Sequence, residues 1–173
     1  MSTLEELFGD RAAVVVPDVL GSGLAAELRA RLDRGGYARY ALTDRGSYEV
    51  REAPDEPALF GALAALAART TGRTLAVTEA RALRLRAGDY LLAHHARLRD
   101  DHPVEIMLDV SAASVAGAEV HYRRRGQVFL RVASAPGAAS IVERGPTVNC
   151  NHTYVSKLHA GAEVVRLVVL LKH

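Results

Sequence analysis

Residues 83–96 read Leu-Arg-Leu-Arg-Ala-Gly-Asp-Tyr-Leu-Leu-Ala-His-His-Ala. Apolar residues alternate with arginines in the first half, which is the two-residue period of a strand with one buried face. Gly88-Asp89 is a two-residue turn signal of the kind that closes tight hairpins. A second apolar run, residues 90–93, then brings His94 and His95 to the end of the next predicted strand. Imidazoles that a rigid sheet holds at a strand end are well placed to bind a metal ion.

Short strands dominate the chain after Gly72. We predict strands over 74–85, 90–93, 104–110, 119–122, 128–132, 139–142, 153–158 and 164–171. Eight short strands separated by turns that contain Gly and Pro are typical of a sandwich or jelly roll.

The first 72 residues carry mainly helical signals. Leu24, Leu28 and Leu32 share one face of a predicted helix, with Ser22 as its N-cap. A second helix is predicted over 58–68, a short strand over 12–16, and weak strand signals lie within 37–51. The predicted fold class is therefore α+β, mainly β. We expect a single domain, 1–173, in which a helical support region (1–72) packs on a β core (73–173).

Composition excludes several classes of function. Of the 173 residues, 49% are apolar and 24% are charged, which argues against disorder. The net charge of +2 indicates no nucleic-acid partner. Cys150 is the only cysteine, so neither an intrachain disulfide nor a cysteine-based zinc cluster can form. The acidic first residues do not fit a signal peptide, and no apolar run is long enough to span a bilayer. We expect a cytoplasmic protein with no membrane partner, and the high Ala and Arg usage suggests a bacterial source.

Several segments resemble one family in the same order along the chain. The pattern Gly-Asp-Tyr-Leu-x-x-His at 88–94 resembles the start of the iron-binding motif of the 2-oxoglutarate-dependent iron oxygenases, especially the small prolyl-hydroxylase-like members. Residues 16–24 resemble the opening of those domains, 115–120 resemble their Gly-Gly-Glu-Leu segment, and 135–138 their Pro-Gly turn. The resemblance implies a double-stranded β-helix with N-terminal helices packed outside it, and Fe(II) and 2-oxoglutarate as cofactors.

The resemblance also implies roles for three residues. His94 and His152 would be the two histidine ligands of the metal. Arg166, the only arginine of the last predicted strand, would bind the distal carboxylate of 2-oxoglutarate. A planar guanidinium suits that role because it pairs with both oxygens of a carboxylate. The alternative is structural: a histidine at a strand end often has no ligand, and Arg166 could be an inward charge that meets Glu163 or Glu119.

Ala96 departs from the family pattern, in which an Asp follows the first His by two residues. Some halogenating relatives carry Ala or Gly there, which leaves room for chloride beside the two histidines. The barrel could instead be an inactive binding module, or Ala96 could be an engineered replacement of Asp. A loop carboxylate, Asp100 or Asp101, could also reach the metal.

The expected function is the Fe(II)- and 2-oxoglutarate-dependent hydroxylation or halogenation of a small molecule or amino-acid-type substrate. Two alternatives remain open: a β-barrel binding module without catalysis, and a cupin-like metalloenzyme that uses three or more histidines and no 2-oxoglutarate. The sequence does not determine the substrate or the oligomeric state, because pocket residues come from loops and inward strand positions that vary freely.

Overall fold

The computed structural model describes residues 3–93 and 97–173. Three helices and eleven strands form the described part of the chain. In chain order they are α1 (Leu4–Arg11), β1 (Ala13–Val16), α2 (Ser22–Arg34), β2 (Ala38–Leu42), β3 (Gly46–Glu52), α3 (Pro57–Thr71), β4 (Ala76–Arg86), β5 (Tyr90–Leu91), β6 (Val104–Asp109), β7 (Val120–Arg124), β8 (Gln127–Val132), β9 (Ala139–Glu143), β10 (Val148–His152) and β11 (Glu163–Lys172).

All the strands belong to one antiparallel sheet that curls into a nearly closed barrel. Ten of them follow the order β1-β9-β6-β11-β4-β3-β5-β10-β7-β8, and β2 pairs with β3 outside this path. The longest ladder joins β4 to β11, and β11 pairs on its other side with β6. The mainly β fold class with helices packed outside the barrel is therefore confirmed.

Side chains of β11 alternate between two cores. Val165, Leu167 and Val169 face outward and pack with the buried leucines of α2 and α3. Val164 and Val168 face the barrel interior, where they join a second apolar cluster. Arg166 lies between them in the two-residue period of the strand, so its side chain enters the barrel.

The predicted hairpin at Gly88-Asp89 is not formed. β4 pairs with β3 and β11, whereas β5 pairs with β3 and β10, so the turn carries the chain from one wall of the barrel to the other. Asp89 is 2% exposed. Its carboxylate accepts two hydrogen bonds of 2.6 Å from Arg39, one from Ser47 and one from the Arg86 amide. The bonds from Arg39 and Ser47 anchor the turn to β2 and β3, and the bond from the Arg86 amide lies within the turn itself.

A glycine permits the close approach of β3 and β5. Gly46 has φ +137°, and a Cβ placed there would lie 2.3 Å from the Tyr90 carbonyl oxygen. A larger residue at this position would therefore force the two strands apart.

The prediction of a strand over 153–158 is wrong. The strand lies one segment earlier, and His152 is its last residue. Thr153 leaves the ladder, because its amide donates to the Glu119 carbonyl and its hydroxyl to the Gly117 carbonyl. The sequence Val-Asn-Cys-Asn-His alternates buried and half-buried positions, which is the period of a strand despite its polar residues.

The first 72 residues, predicted to be a helical support region, also contribute strands to the barrel. Besides the three helices they supply β1, β2 and β3, all of which pair within the sheet. The N-cap of α2 is Gly21 rather than Ser22, which is the first helical residue. No helix among the described residues is both long and apolar enough to cross a bilayer.

Candidate functional site

A cavity of about 240 Å³ opens into the barrel interior. Its walls include Leu91 of β5, Met107 of β6, Cys150 and His152 of β10, and Val168 of β11. His152 is the only histidine of the described residues that lines this cavity. The cavity is thus a mixed polar and apolar pocket with one imidazole in its wall.

His152 is held rigidly at the end of β10. Leu91 of β5 and Val120 of β7 are its register partners, and its residue exposure is 2%. Burial lowers the pKa of His152 well below its usual value, and the positive charges of Arg166 and Arg81 act in the same direction. The ring is therefore neutral at pH 7, which is the form of histidine that binds metals.

Arg166 contacts His152 directly inside the barrel. Its Nη1 donates to Nδ1 of His152 at 3.0 Å, and its Nη2 donates to the Ala118 carbonyl oxygen at 2.9 Å. The residue is 3% exposed. Burial lowers the pKa of the Arg166 guanidinium, and the carboxylate of Asp109 opposes that effect. Arginine nevertheless stays protonated under ordinary conditions.

The two glutamates considered as partners of Arg166 are engaged elsewhere. Glu163 pairs with Arg29 and Arg86, and Glu119 accepts from His121 at 2.7 Å. Within 3–93 and 97–173, no carboxylate forms a salt bridge with Arg166. A buried guanidinium is thus left with two neutral acceptors, although buried charges are ordinarily paired with an opposite charge.

The Arg166 contact determines which nitrogen of His152 carries the proton. A guanidinium can only donate, so Nδ1 must accept and the proton of the neutral ring must lie on Nε2. A metal ligand needs a free lone pair, and in this arrangement neither ring nitrogen has one. Arg166 carries a charge that an anion would compensate, but it is not itself among the residues that line the cavity. The residues fit a metal on His152 once Arg166 has released Nδ1.

A second buried charge cluster lines the same cavity. Arg144 and Glu105 form an ion pair of 2.5 Å, with residue exposures of 4% and 2%. The other oxygen of Glu105 accepts from the Tyr122 hydroxyl at 2.9 Å. Burial disfavours the charged form of Arg144, but Glu105, with smaller contributions from Cys150 and Tyr122, raises the pKa of the guanidinium. Sequence reasoning missed this pair, for which the available signal was Glu105 between apolar residues of a predicted strand.

His94, His95 and Ala96 lie outside the described residues. The predicted roles of His94 and of the Ala96 position therefore stay predictions. In the described part of the chain, no three His, Cys, Asp or Glu side chains are grouped as a metal site.

Comparison with known proteins identifies the architecture. No protein-family model matches the sequence, and a search of curated proteins finds no match. Among solved structures, an oxidoreductase of the 2OG-Fe(II) oxygenase family from Burkholderia pseudomallei superposes with a TM-score of 0.79 at 13% identity, covering 98% of this chain and 89% of that one. The fold is the double-stranded β-helix.

Two further structures share it. A prolyl-4-hydroxylase from Pseudomonas putida gives a TM-score of 0.74 at 14% identity, covering 98% of this chain and 97% of that one. HygX from Streptomyces hygroscopicus, with nickel and 2-oxoglutarate bound, gives 0.62 at 14% identity, covering 96% of this chain and 84% of that one. At these identities the similarity establishes the fold.

The mouth of the double-stranded β-helix is rich in charge. Arg81, Arg97, Arg99 and Glu79 all line the cavity. Arg99 pairs with Glu79 at 2.8 Å and with Asp101 at 3.1 Å, and Lys172 also contacts Asp101. The Asp101 carboxylate, considered above as a substitute metal ligand, is therefore engaged with two cations.

Proposed function

We propose that the chain is an Fe(II)- and 2-oxoglutarate-dependent oxygenase that acts on a small molecule or an amino-acid-type substrate. The observation that carries this proposal is Arg166, a guanidinium buried inside the barrel without a carboxylate partner among the described residues. Such a cation costs free energy unless an anion compensates it. The distal carboxylate of 2-oxoglutarate would supply that compensation with bidentate geometry.

The proposed metal ligands are His152 and His94. His152 lines the cavity and is neutral, so it would provide one imidazole once its Nδ1 is released. Leu91, its register partner, lies three residues before His94 in the sequence. Iron and 2-oxoglutarate, when bound, would supply the oxidising chemistry, as cofactors generally do.

The protein itself would contribute binding, orientation and exclusion of water. Arg166 would hold the distal carboxylate of 2-oxoglutarate, and His152 would hold the metal. Leu91, Met107 and Val168 would keep the reacting end of the cavity apolar. The names of the similar structures are consistent with this proposal, since they include a 2OG-Fe(II) oxygenase and a protein with nickel and 2-oxoglutarate bound.

The proposal has two versions, hydroxylation and halogenation, which differ in the role of position 96. A position without a carboxylate leaves room for chloride, whereas an Asp there would complete two histidines and one carboxylate, a ligand set that suits non-haem Fe(II). In Ala96→Asp we therefore expect tighter iron binding and increased release of succinate from 2-oxoglutarate. If the parent protein halogenates, the same variant should lose chlorination and gain hydroxylation. The measurement is succinate release with Fe(II) and 2-oxoglutarate, with and without chloride.

Binding of the cofactors tests the ligand assignment separately from turnover. By anaerobic calorimetry, His152→Ala and His94→Ala should each abolish metal binding, and Arg166→Leu should weaken 2-oxoglutarate binding by about 2 kcal/mol or more. His95→Ala is the matched control, because it removes the neighbouring imidazole and leaves both proposed ligands in place. Absence of both metal binding and 2-oxoglutarate binding by the parent protein would refute the oxygenase proposal.

A binding module for anions is the second candidate. It is favoured by the occupied Nδ1 of His152. It predicts that the parent protein binds small dicarboxylates through Arg166 and binds no metal. The cupin-like alternative needs several histidines in the cavity, and the described lining residues include one.

A further inference from the structure

The contact between Arg166 and His152 links two functions that are usually assigned to separate residues. One of these side chains is the proposed anion site and the other is a proposed metal ligand, so the inference below rests on the proposed function. They lie 14 residues apart in the sequence and meet at 3.0 Å inside the barrel. Both are almost fully buried, so water does not compete for the contact.

The hydrogen bond makes Arg166 and a metal ion mutually exclusive at His152. If the metal binds Nδ1, it takes the lone pair that Arg166 now occupies. If the metal binds Nε2, the ring proton must move to Nδ1, and two N–H groups would then face each other across the Arg166 contact. Either mode of ligation requires the guanidinium to move away.

We propose that Arg166 blocks His152 in the absence of ligand, and that a dicarboxylate which engages the guanidinium opens His152 to the metal. Arg166 has five N–H donors, of which those to His152 and Ala118 are the hydrogen bonds it makes within the described residues. A carboxylate is a stronger acceptor for a guanidinium than a neutral imidazole, because both partners are charged. Anion binding and metal binding are then coupled, each tightening the other by the same factor.

Glutarate separates this coupling from bidentate chelation, and butyrate, which has no second carboxylate, should give the same tightening without any direct ligation of the metal. Glutarate has the distal carboxylate of 2-oxoglutarate but lacks the keto oxygen that completes a chelate. Using Ni(II), which imidazole binds well, calorimetry on the parent protein should show about tenfold tighter metal binding in saturating glutarate. Arg166→Met should bind Ni(II) about tenfold more tightly than the parent without any anion, and glutarate should then change its affinity by less than about twofold.

Removal of a positive charge near a dication also strengthens metal binding, so a matched control is needed. Arg81 lines the same cavity and its charge acts on His152, but it makes no hydrogen bond to that ring. Arg81→Met should therefore change Ni(II) affinity by less than about threefold, because its side chain is exposed and its charge is screened.

The tautomer of His152 provides a readout that needs neither metal nor variant. ¹⁵N spectra of the metal-free parent protein at neutral pH should show Nε2 protonated and Nδ1 unprotonated, with glutarate shifting the Nδ1 signal. An Nδ1-protonated ring would overturn the inference. If Ni(II) binding is lost in His152→Ala but is unaffected by Arg166→Met and by glutarate, the inference is wrong and the metal site stands. If Ni(II) binding does not depend on His152, the ligand assignment and the inference both fail.

Discussion

Replacing Glu105 with leucine should be among the most destabilising single changes in the barrel. The variant leaves the Arg144 guanidinium 4% exposed and without its only carboxylate partner among the described residues. Its remaining hydrogen bonds are 3.4 Å long to the carbonyls of Val148 and Arg97 and 3.9 Å long to Sγ of Cys150. Tyr122 also loses the acceptor of its hydroxyl and keeps a contact of 3.2 Å with Ser140.

The expected loss is about 3–5 kcal/mol in the free energy of unfolding, the range observed when one partner of a buried ion pair is removed. For a chain of this length that corresponds to a fall in Tm of roughly 6–20 °C. The double variant Glu105→Leu/Arg144→Met should recover about 2 kcal/mol or more, because apolar side chains replace both charges. Urea unfolding followed by circular dichroism measures each change, and a constant m-value would show that the denatured state is unaffected.

Glu79→Gln is the matched control at the surface. Its partner is also an arginine, Arg99, at 2.8 Å, but the side chain of Glu79 is 52% exposed. We expect a loss below about 1 kcal/mol there. A loss below about 1 kcal/mol in Glu105→Leu, or a double variant no more stable than the single one, would contradict the argument from burial.

Two further predictions concern titratable groups. Burial acts to raise the pKa of Asp89, but hydrogen bonds from Arg39, Ser47 and the Arg86 amide outweigh it and hold that pKa below its usual value. The stabilisation is therefore present above about pH 4 and is lost as the pH falls through the lowered pKa, so Asp89→Asn should cost about 2 kcal/mol in urea unfolding at pH 7 and much less at pH 2. Burial raises the pKa of the Cys150 thiol to about 11. At pH 8 it should react with a disulfide reagent much more slowly than an ordinary exposed thiol, because little of it is thiolate, and labelling at the rate of an exposed thiol would contradict this.

Local patterns were sufficient to predict most of the secondary structure. The alternation in 83–86 lies in β4, the apolar run in 164–171 lies in β11, and the leucine spacing of 24–32 lies in α2. These signals are readable because the side-chain period is a property of the backbone conformation itself. β10 was missed because its alternating positions include two asparagines and a histidine, and their burial depends on neighbouring strands.

Strand pairing was decided by contacts that local sequence does not encode. Gly88-Asp89 has the composition of a hairpin turn, yet Asp89 binds Arg39, which is 50 residues away. The favourable pairing of a buried carboxylate with a guanidinium outweighs the tendency of such a turn to pair the two strands that it connects. A contact between residues so far apart in the sequence depends on the whole fold, so it cannot be predicted from either segment alone.

The sequence by itself, through its resemblance to a family, was enough to select Arg166 and His152 as candidates for the site. Only the tertiary structure showed that they touch, that His152 is held neutral, and that Arg166 occupies the nitrogen a metal would need. The same holds for Glu105 and Arg144, which are charges in a sequence but become a buried pair in the barrel. The physical reason is that burial and hydrogen-bond direction depend on atoms brought together from distant segments, and these determine the protonation and availability of each group.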